Sequence, residues 1–243
     1  VPDGVLTGGW TGPGTALAVS GRDGRELWSV PLATAPAPGG PALGDLDGDG
    51  VQDAEFAVRG SPMCSVRSGK DGRVLWESGK GRFGRPLTPV LADLDGDGGN
   101  DVLIAGSVMD GLNNFKSGWV QAHAGKDGRI LWAFDAGAGY DVAPALGDLD
   151  GDGAADGVLG DKAGRILAFS GKDGRELWSL STGGEVHVAT ALQDLDWDGV
   201  PDVGAGAGRG KRRGPVRDRP RVLHVPGQVP LCSGGTGRGE ARH

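Results

Sequence analysis

Short runs of apolar residues alternate along this chain with clusters of glycine, aspartate and basic residues. Runs such as Val102-Leu103-Ile104-Ala105 have the length and composition of buried strands. No long window shows the 3.6-residue period of an amphipathic helix. Glycine occurs 49 times and aromatic residues make up only 5% of the chain, so the core must be thin. The pattern predicts an all-β, turn-rich protein.

One segment that ends in Leu-Trp occurs four times in nearly the same form. It reads S-G-R-D-G-R-E-L-W at Ser20–Trp28 and recurs at Ser68–Trp76, Ala124–Trp132 and Ser170–Trp178. Asp-Gly between two strand-like runs predicts a hairpin, because both residues tolerate the positive φ of tight turns. The tryptophans lie 48, 56 and 46 residues apart, and we interpret them as core between repeats.

An acidic motif, D-x-D-x-D-G-x-x-D, repeats in step with the tryptophan segment at 45–53, 93–101, 148–156 and 194–202. One copy could be a solvated acidic turn. Four copies of mutually repelling carboxylates favour a bound cation instead, and hard oxygen ligands without nearby His or Cys favour calcium. An EF-hand is excluded because its twelfth position, which requires Glu, holds other residues here, namely Phe56, Ile104, Leu159 and Ala205.

Both motifs belong to a repeat of about fifty residues with four strands, which is typical of a β-propeller blade. Each repeat reads as a strand, a turn, a strand ending in Leu-Trp, a Pro- or Thr-led inner strand, the acidic loop and a further strand. The chain then holds about four repeats: three whole blades, three strands of another and the opening of one more. The two ends could close a four-bladed ring, but a fragment of a larger propeller is the favoured interpretation.

The residues of the acidic loop and the strand after it resemble the FG-GAP repeat of integrin α-subunit propellers and of bacterial secreted or cell-surface proteins. The G-K-D-G-R-x-L-W segments also resemble the tryptophan-docking repeat of PQQ-type propellers. In the FG-GAP family the loop binds Ca²⁺ through the side chains at positions 1, 3, 5 and 9 and the backbone carbonyl at position 7. The resemblance implies the side-chain ligands Asp45, Asp47, Asp49 and Asp53; Asp93, Asp95, Asp97 and Asp101; Asp148, Asp150, Asp152 and Asp156; and Asp194, Asp196, Asp198 and Asp202. It implies carbonyl ligands at Val51, Gly99, Ala154 and Val200.

Charge divides the chain into two predicted regions. Residues 1–207 carry 16 basic and 30 acidic side chains, and residues 208–243 carry 9 basic and 2 acidic ones. We therefore expect propeller repeats over 1–207 that do not bind nucleic acid. The Gly/Arg/Pro-rich tail over 208–243 reads as disordered sequence, an out-of-frame translation or a degenerate blade.

The sequence shows no catalytic constellation. Its histidines, His123, His187, His224 and His243, lie in unrelated contexts, and no G-x-S-x-G is present. The first hypothesis is therefore a calcium-stabilised, non-enzymatic extracellular binding or adhesion module. The alternative is the propeller of a PQQ-type quinoprotein dehydrogenase or of a polysaccharide lyase, whose site would need further residues.

The insertion at 107–117 makes one repeat longer than the others, and we expect it to contact a protein or carbohydrate ligand on a propeller face away from the acidic loops. No apolar stretch is long enough to span a membrane, and no leader is visible. Because extracellular calcium modules bind at about 10⁻⁴ to 10⁻³ M, we expect an extracellular, periplasmic or cell-surface protein.

Overall fold

The computed structural model describes residues 3–8, 13–37, 39–59, 62–78, 84–110, 115–186, 191–195, 197 and 199–206. These residues form strands and turns, and no helix occurs within these ranges. The predicted all-β class is therefore confirmed. The basic tail lies outside the described ranges, so its interpretation stays a prediction.

The described residues contain eighteen strands in five successive antiparallel sheets, which we number as blades I to V. Blade I contains β1 (Gly4–Gly8), β2 (Gly14–Val19) and β3 (Glu26–Leu32). Blade II contains β4 (Ala42–Gly44), β5 (Asp53–Ala57), β6 (Cys64–Arg67) and β7 (Val74–Glu77). Blade III contains β8 (Arg85–Pro86), β9 (Val90–Ala92), β10 (Asp101–Met109), β11 (Phe115–His123) and β12 (Ile130–Ala136). Blade IV contains β13 (Ala145–Gly147), β14 (Asp156–Gly160), β15 (Arg165–Phe169) and β16 (Glu176–Ser181), and blade V contains β17 (Ala191–Gln193) and β18 (Asp202–Gly204).

Apart from β8 and β9 of blade III, sequential strands are neighbours within each sheet, which is the meander order of a propeller blade. In blade III the two short strands β8 and β9 both pair with β10 and together replace one inner strand. The inner strands of successive blades also contact one another, β4 with β9 and β13 with β17. The β-propeller architecture is thus confirmed. Strands β1 and β17 lie in separate sheets, so the described strands do not show the four-bladed closure.

The core lies between the blades. Every residue of β5 and β14 is buried, as are the first seven of β10, because these central strands have a neighbouring blade on each face. Trp28 of blade I packs in one buried cluster with Ala54 and Phe56 of blade II. Trp76 of blade II packs in the next with Val102 and Ile104 of blade III. The tryptophans are inter-blade core, as their spacing predicted.

The strand ends differ from the prediction. Leu-Trp does not end the outer strand: β3 begins at Glu26 and continues past Trp28 to Leu32. The turn before it is longer than a two-residue hairpin, because Ser20 N–H donates to Arg25 O at 2.9 Å. Gly24 in this turn has φ of 72°, so the Asp-Gly signal located the turn and its positive φ correctly.

Candidate metal loops and a separate cavity

Each acidic loop joins the innermost described strand of a blade to the next strand, and it gathers three carboxylates. In three loops one oxygen each from positions 1, 3 and 9 lie within 4.8 Å of one another. These groups are Asp45, Asp47 and Asp53; Asp93, Asp95 and Asp101; and Asp148, Asp150 and Asp156. Clustered carboxylate oxygens of this kind are suited to a hard divalent cation. The three positions meet because the intervening glycines turn the backbone sharply.

Backbone donors fix the orientation of these carboxylates. Asp45 at position 1 accepts hydrogen bonds from the N–H groups of Gly48 and Gly50, at 2.8 and 2.9 Å. Both glycines have positive φ, 78° and 81°, a backbone conformation that residues with a side chain rarely adopt. Asp53 at position 9 is fully buried, and its Oδ2 accepts from Leu46 N–H at 2.9 Å. The loop conformation is therefore encoded locally by its own Asp and Gly residues.

Position 5 lies outside these three-carboxylate groups, and in blades II and IV it contacts a lysine of the Lys-Asp-Gly turn instead. Lys70 Nζ is 2.7 Å from Asp49, and Lys172 Nζ is 3.0 Å from Asp152. The hydrogen bond with Lys70 lowers the pKa of Asp49, and the same contact raises the pKa of Lys70. The turn thus provides counter-charge to the acidic loop of its own blade. The predicted ligand role of position 5, including that of Asp97, stays a prediction.

The acidic loop and the tryptophan segment, which are separate motifs in the sequence, meet at one glycine. Gly69 N–H donates to Asp53 Oδ1 of the same blade at 3.0 Å. Its carbonyl accepts from the indole Nε1 of Trp28, in the preceding blade, at 2.9 Å. The same arrangement recurs twice, as Asp101–Gly125–Trp76 and Asp156–Gly171–Trp132. Position 9 therefore connects the candidate metal loop to the contact between blades.

Burial makes these loop-closing carboxylates sensitive to a counter-charge. Desolvation raises the pKa of Asp101 and of Asp156, although backbone N–H donors act in the opposite direction. A cation beside a buried carboxylate favours its charged form. Binding of a divalent ion would therefore stabilise the same residue that holds the glycine and, through it, the tryptophan of the neighbouring blade.

The fourth loop follows the same plan with one departure. Asp194 accepts from the N–H groups of Trp197 and Gly199, and Asp202 accepts from Leu195 N–H. Trp197 stands where the other loops have glycine and has φ of 65°, an unfavourable conformation for a bulky side chain. Asp196 and Asp198 lie outside the described residues. The ligand set of this loop, and the four carbonyls at position 7, stay predictions.

A cavity of about 620 Å³ lies at the opposite end of blade III. Strand β10 begins at Asp101 in the acidic loop and ends at Met109, which lines the cavity. At roughly 3.3 Å per residue these two points are about 26 Å apart. A cation in an acidic loop is therefore too distant to touch a ligand in the cavity. The other lining residues are Arg59, Gly84, Arg85, Val108, Phe115 and Asp141.

Blade II contains a buried polar pair that the sequence analysis missed. Glu55 and Cys64 are both fully buried, and the Cys64 thiol lies 2.9 Å from Glu55 Oε1. Desolvation raises the pKa of Glu55 to about 8 and also raises the pKa of Cys64. Aligning the repeats gives a signal that could have found the pair, because Glu55 stands where the next two blades have Leu103 and Val158.

Together the fold and the site define a β-propeller whose blades are joined by docked tryptophans and carry acidic turn loops. The PQQ-type repeat family described as "Outer membrane protein assembly factor BamB" matches residues 12–198. This match covers about three quarters of the chain, and the chain therefore belongs to that family. No curated protein sequence matches the chain significantly.

Several solved structures share the fold. The V. cholerae biofilm matrix protein Bap1 aligns with a TM-score of 0.58 and 22% identity over 82% of this chain and 29% of its own. The quinohemoprotein alcohol dehydrogenase of Comamonas testosteroni aligns with a TM-score of 0.57 and 12% identity, over 84% of this chain and 38% of its own. The C-terminal domain of Pseudomonas aeruginosa PilY1 aligns with a TM-score of 0.57 and 16% identity, over 84% of this chain and 52% of its own. The chain thus spans between 29% and 52% of these proteins.

These findings correct two interpretations. The FG-GAP, integrin-like identification is wrong, because the matching family is of the PQQ type. The non-enzymatic adhesion module that followed from it is likewise overturned, because it rested on the FG-GAP identification and the matching family is of the PQQ type. The physical reason is that an acidic turn loop fits any tight connection between strands. Tryptophan docking, by contrast, sets how blades pack and is the more specific family signal.

None of the described residues forms a helix long and apolar enough to cross a membrane.

Proposed function

We propose that this chain forms calcium-stabilised blades of a PQQ-type propeller in an exported protein of the quinoprotein dehydrogenase class. The observation that carries the proposal is the Asp–Gly–Trp connection, which recurs in three blades and joins each acidic loop to the contact with the preceding blade. The family match supports the PQQ-type class.

Calcium has a structural role in this proposal. The loop of blade III lies about 26 Å from the cavity along β10, by the strand rise of roughly 3.3 Å per residue, so an ion in that loop cannot act on a ligand bound there. They neutralise clustered carboxylates and hold the position 9 side chains that orient the docking glycines. Sites with dissociation constants of about 10⁻⁴ to 10⁻³ M fill only outside the cytoplasm. The periplasm or the extracellular space is therefore the proposed compartment.

The described residues fit a quinone cofactor only in part. Such a cofactor is a flat ring system with several carboxylates, and Arg59 and Arg85 of the cavity could pair with these. A metal ion beside it would need more oxygen ligands than the one carboxylate in the cavity wall, that of Asp141, which Lys162 already contacts. We therefore assign these residues no catalytic step, and the dehydrogenase function requires other parts of the propeller.

The calcium proposal is tested by metal analysis of the purified chain. The chain dialysed against calcium should retain at least the ions of the three described clusters, and Asp95→Ala should remove one. The matched control is Asp127→Ala, on an exposed turn of the same blade outside the clusters. A calcium content equal to that of the buffer would refute the proposal.

The dehydrogenase class is tested separately on the longest available reading frame, supplied with calcium and pyrroloquinoline quinone. We expect quinone absorbance to remain with the protein after gel filtration, and alcohol-dependent reduction of an artificial electron acceptor. The second candidate function is that of an outer membrane protein assembly factor, which the family description favours. Absence of both quinone retention and turnover would favour this second function.

A further inference from the structure

The cavity combines unpaired positive charge with apolar surface. Its wall includes Arg59, two residues after the end of β5 in blade II, and Arg85, the first residue of β8 in blade III. Within the described ranges, neither guanidinium forms an ion pair with a carboxylate. The remaining carboxylate of the wall, Asp141, is contacted by Lys162. The local balance is therefore positive in a protein whose net charge is −7.

The apolar part of the wall comes from the insertion that lengthens the third repeat. Met109 and Phe115, the ends of β10 and β11, both line the cavity. The Phe115 ring lies 5.3 Å from Lys162 Nζ and packs against the backbone of Gly139, which fixes its position. This ring and the Met109 side chain offer a surface on which a flat ligand ring can lie.

We propose that this cavity is a binding site for a carboxylate carried on a ring, either an aromatic acid or a uronic acid saccharide. Arg59 and Arg85 pair with the carboxylate, because the planar guanidinium matches its two oxygens. Met109 and Phe115 contact the ring. The cavity volume of about 620 Å³ lies within the usual range for ligand sites. The cavity is the one whose arginines could also pair with a quinone cofactor, but the proposed binding requires neither calcium in the loops nor dehydrogenase activity.

Calorimetric titration of the calcium-loaded full chain tests the site with two probes, benzene-1,3,5-tricarboxylate and tetragalacturonate. We expect saturable binding of at least one probe, weakened roughly tenfold or more by Arg59→Gln and again by Arg85→Gln, since charged hydrogen bonds are lost. Arg25→Gln is the matched control, because Arg25 is an exposed arginine on the outer turn of blade I. It should bind like the parent chain, and melting curves of all variants should coincide.

The two probes distinguish the possible sources of the ligand. Binding of the benzene tricarboxylate alone assigns the site to aromatic acids, and binding of the saccharide alone assigns it to uronates. Binding of neither probe overturns the proposal. Binding that both arginine substitutions leave unchanged also overturns it, because the carboxylate would then lie elsewhere. Neither result affects the calcium proposal, which is measured by metal content.

Discussion

The two ends of the blades differ in how much they repeat. At one end, three described loops place the same Asp residues, the same docking glycine and the tryptophan of the preceding blade in the same hydrogen bonds. At the other end, the cavity is lined by Arg59, Arg85 and residues of the insertion, which lie outside the repeated motifs. Repeated contacts are what stacked blades need for stability. A unique feature has no such explanation and is the better candidate for specific binding.

The repeated and the unique parts of the blades also differ in how well their buried polar groups are hydrogen-bonded. Every polar group of the Asp–Gly–Trp connection is hydrogen-bonded. Unique positions, in contrast, hold polar groups in unfavourable surroundings: Glu55 Oε2 and Trp119 Nε1 are buried without a partner. Proteins tolerate such groups chiefly where function requires them, and the rest of the fold must offset them. Four experiments test whether the repeated parts stabilise the chain and the unique parts do not.

Removal of calcium should have the largest effect. At about 1 mM calcium, a site with a dissociation constant of about 10⁻⁴ M contributes about 1.4 kcal/mol, and three sites contribute about 4 kcal/mol. For a chain of this length we expect chelation to lower Tm by about 8 to 16 °C. Differential scanning calorimetry with EDTA, and with EDTA plus excess calcium as control, measures it. An unchanged Tm would mean that the repeated end is stabilised without metal.

Glu55, which the other blades do not repeat, should destabilise the fold, in contrast to the repeated loops, and its replacement should remove this effect. Its pKa of about 8 in the fold exceeds the ordinary value of 4.5. The folded state therefore keeps a proton that the unfolded chain releases, and stability falls as pH rises from 4.5 to 8. Between pH 4.5 and 7 the loss is about 3 kcal/mol.

Denaturant unfolding of Glu55→Gln and of the parent chain at several pH values measures this loss. The loop carboxylates contribute equally to both curves, so their contribution cancels in the difference between them. The free energy of unfolding of the variant should rise relative to that of the parent chain as the pH increases over this window. Glu77→Gln, on a more exposed position of the same blade, is the control. Parallel curves for Glu55→Gln and the parent chain would show that Glu55 is not buried in its protonated form.

The connection through the docking glycine should appear as an energetic coupling of about 1 kcal/mol. Asp101→Asn and Trp76→Phe act on opposite sides of Gly125, whose N–H and carbonyl they engage at 3.1 and 2.6 Å. Their combined effect on the free energy of unfolding should therefore be non-additive. Asp101→Asn combined with Trp28→Phe, in a different connection, is the control pair and should be additive. Equal coupling energies in both pairs would mean that Gly125 does not couple Asp101 to Trp76.

The basic turns should produce the smallest effect, and only without metal. Lys70 pairs with Asp49 at an exposed site, so Lys70→Gln should leave the calcium-loaded chain nearly unchanged. In EDTA it should be destabilising, because the acidic loop then loses its counter-charge. Calcium should bind the variant more tightly. Lys126→Gln is the control, since Lys126 forms no ion pair within the described residues. Equal behaviour of both variants in EDTA would contradict this role for Lys70.

Local motifs made part of the fold predictable. The Asp and Gly spacing of the loops fixed their backbone, since Gly48 and Gly50 have the positive φ that the motif requires. The period of the tryptophans predicted blades and their inter-blade core, and Trp28, Trp76 and Trp132 are buried accordingly. The same loop motif misdirected the family assignment, because it reports a turn that binds cations and not the way in which blades pack.

Sequence by itself therefore determined the repeat, its strands and the acidic loops, because each depends on residues within a few positions of one another. Only the tertiary structure joined Asp53, Gly69 and Trp28 into one connection, since Gly69 lies 16 residues from Asp53 and its contact with Trp28 crosses from one blade to the next. It also placed Arg59 and Arg85 in the wall of one cavity, from two blades that share no motif there. Contacts between residues distant in sequence depend on how the blades stack, which no local pattern specifies.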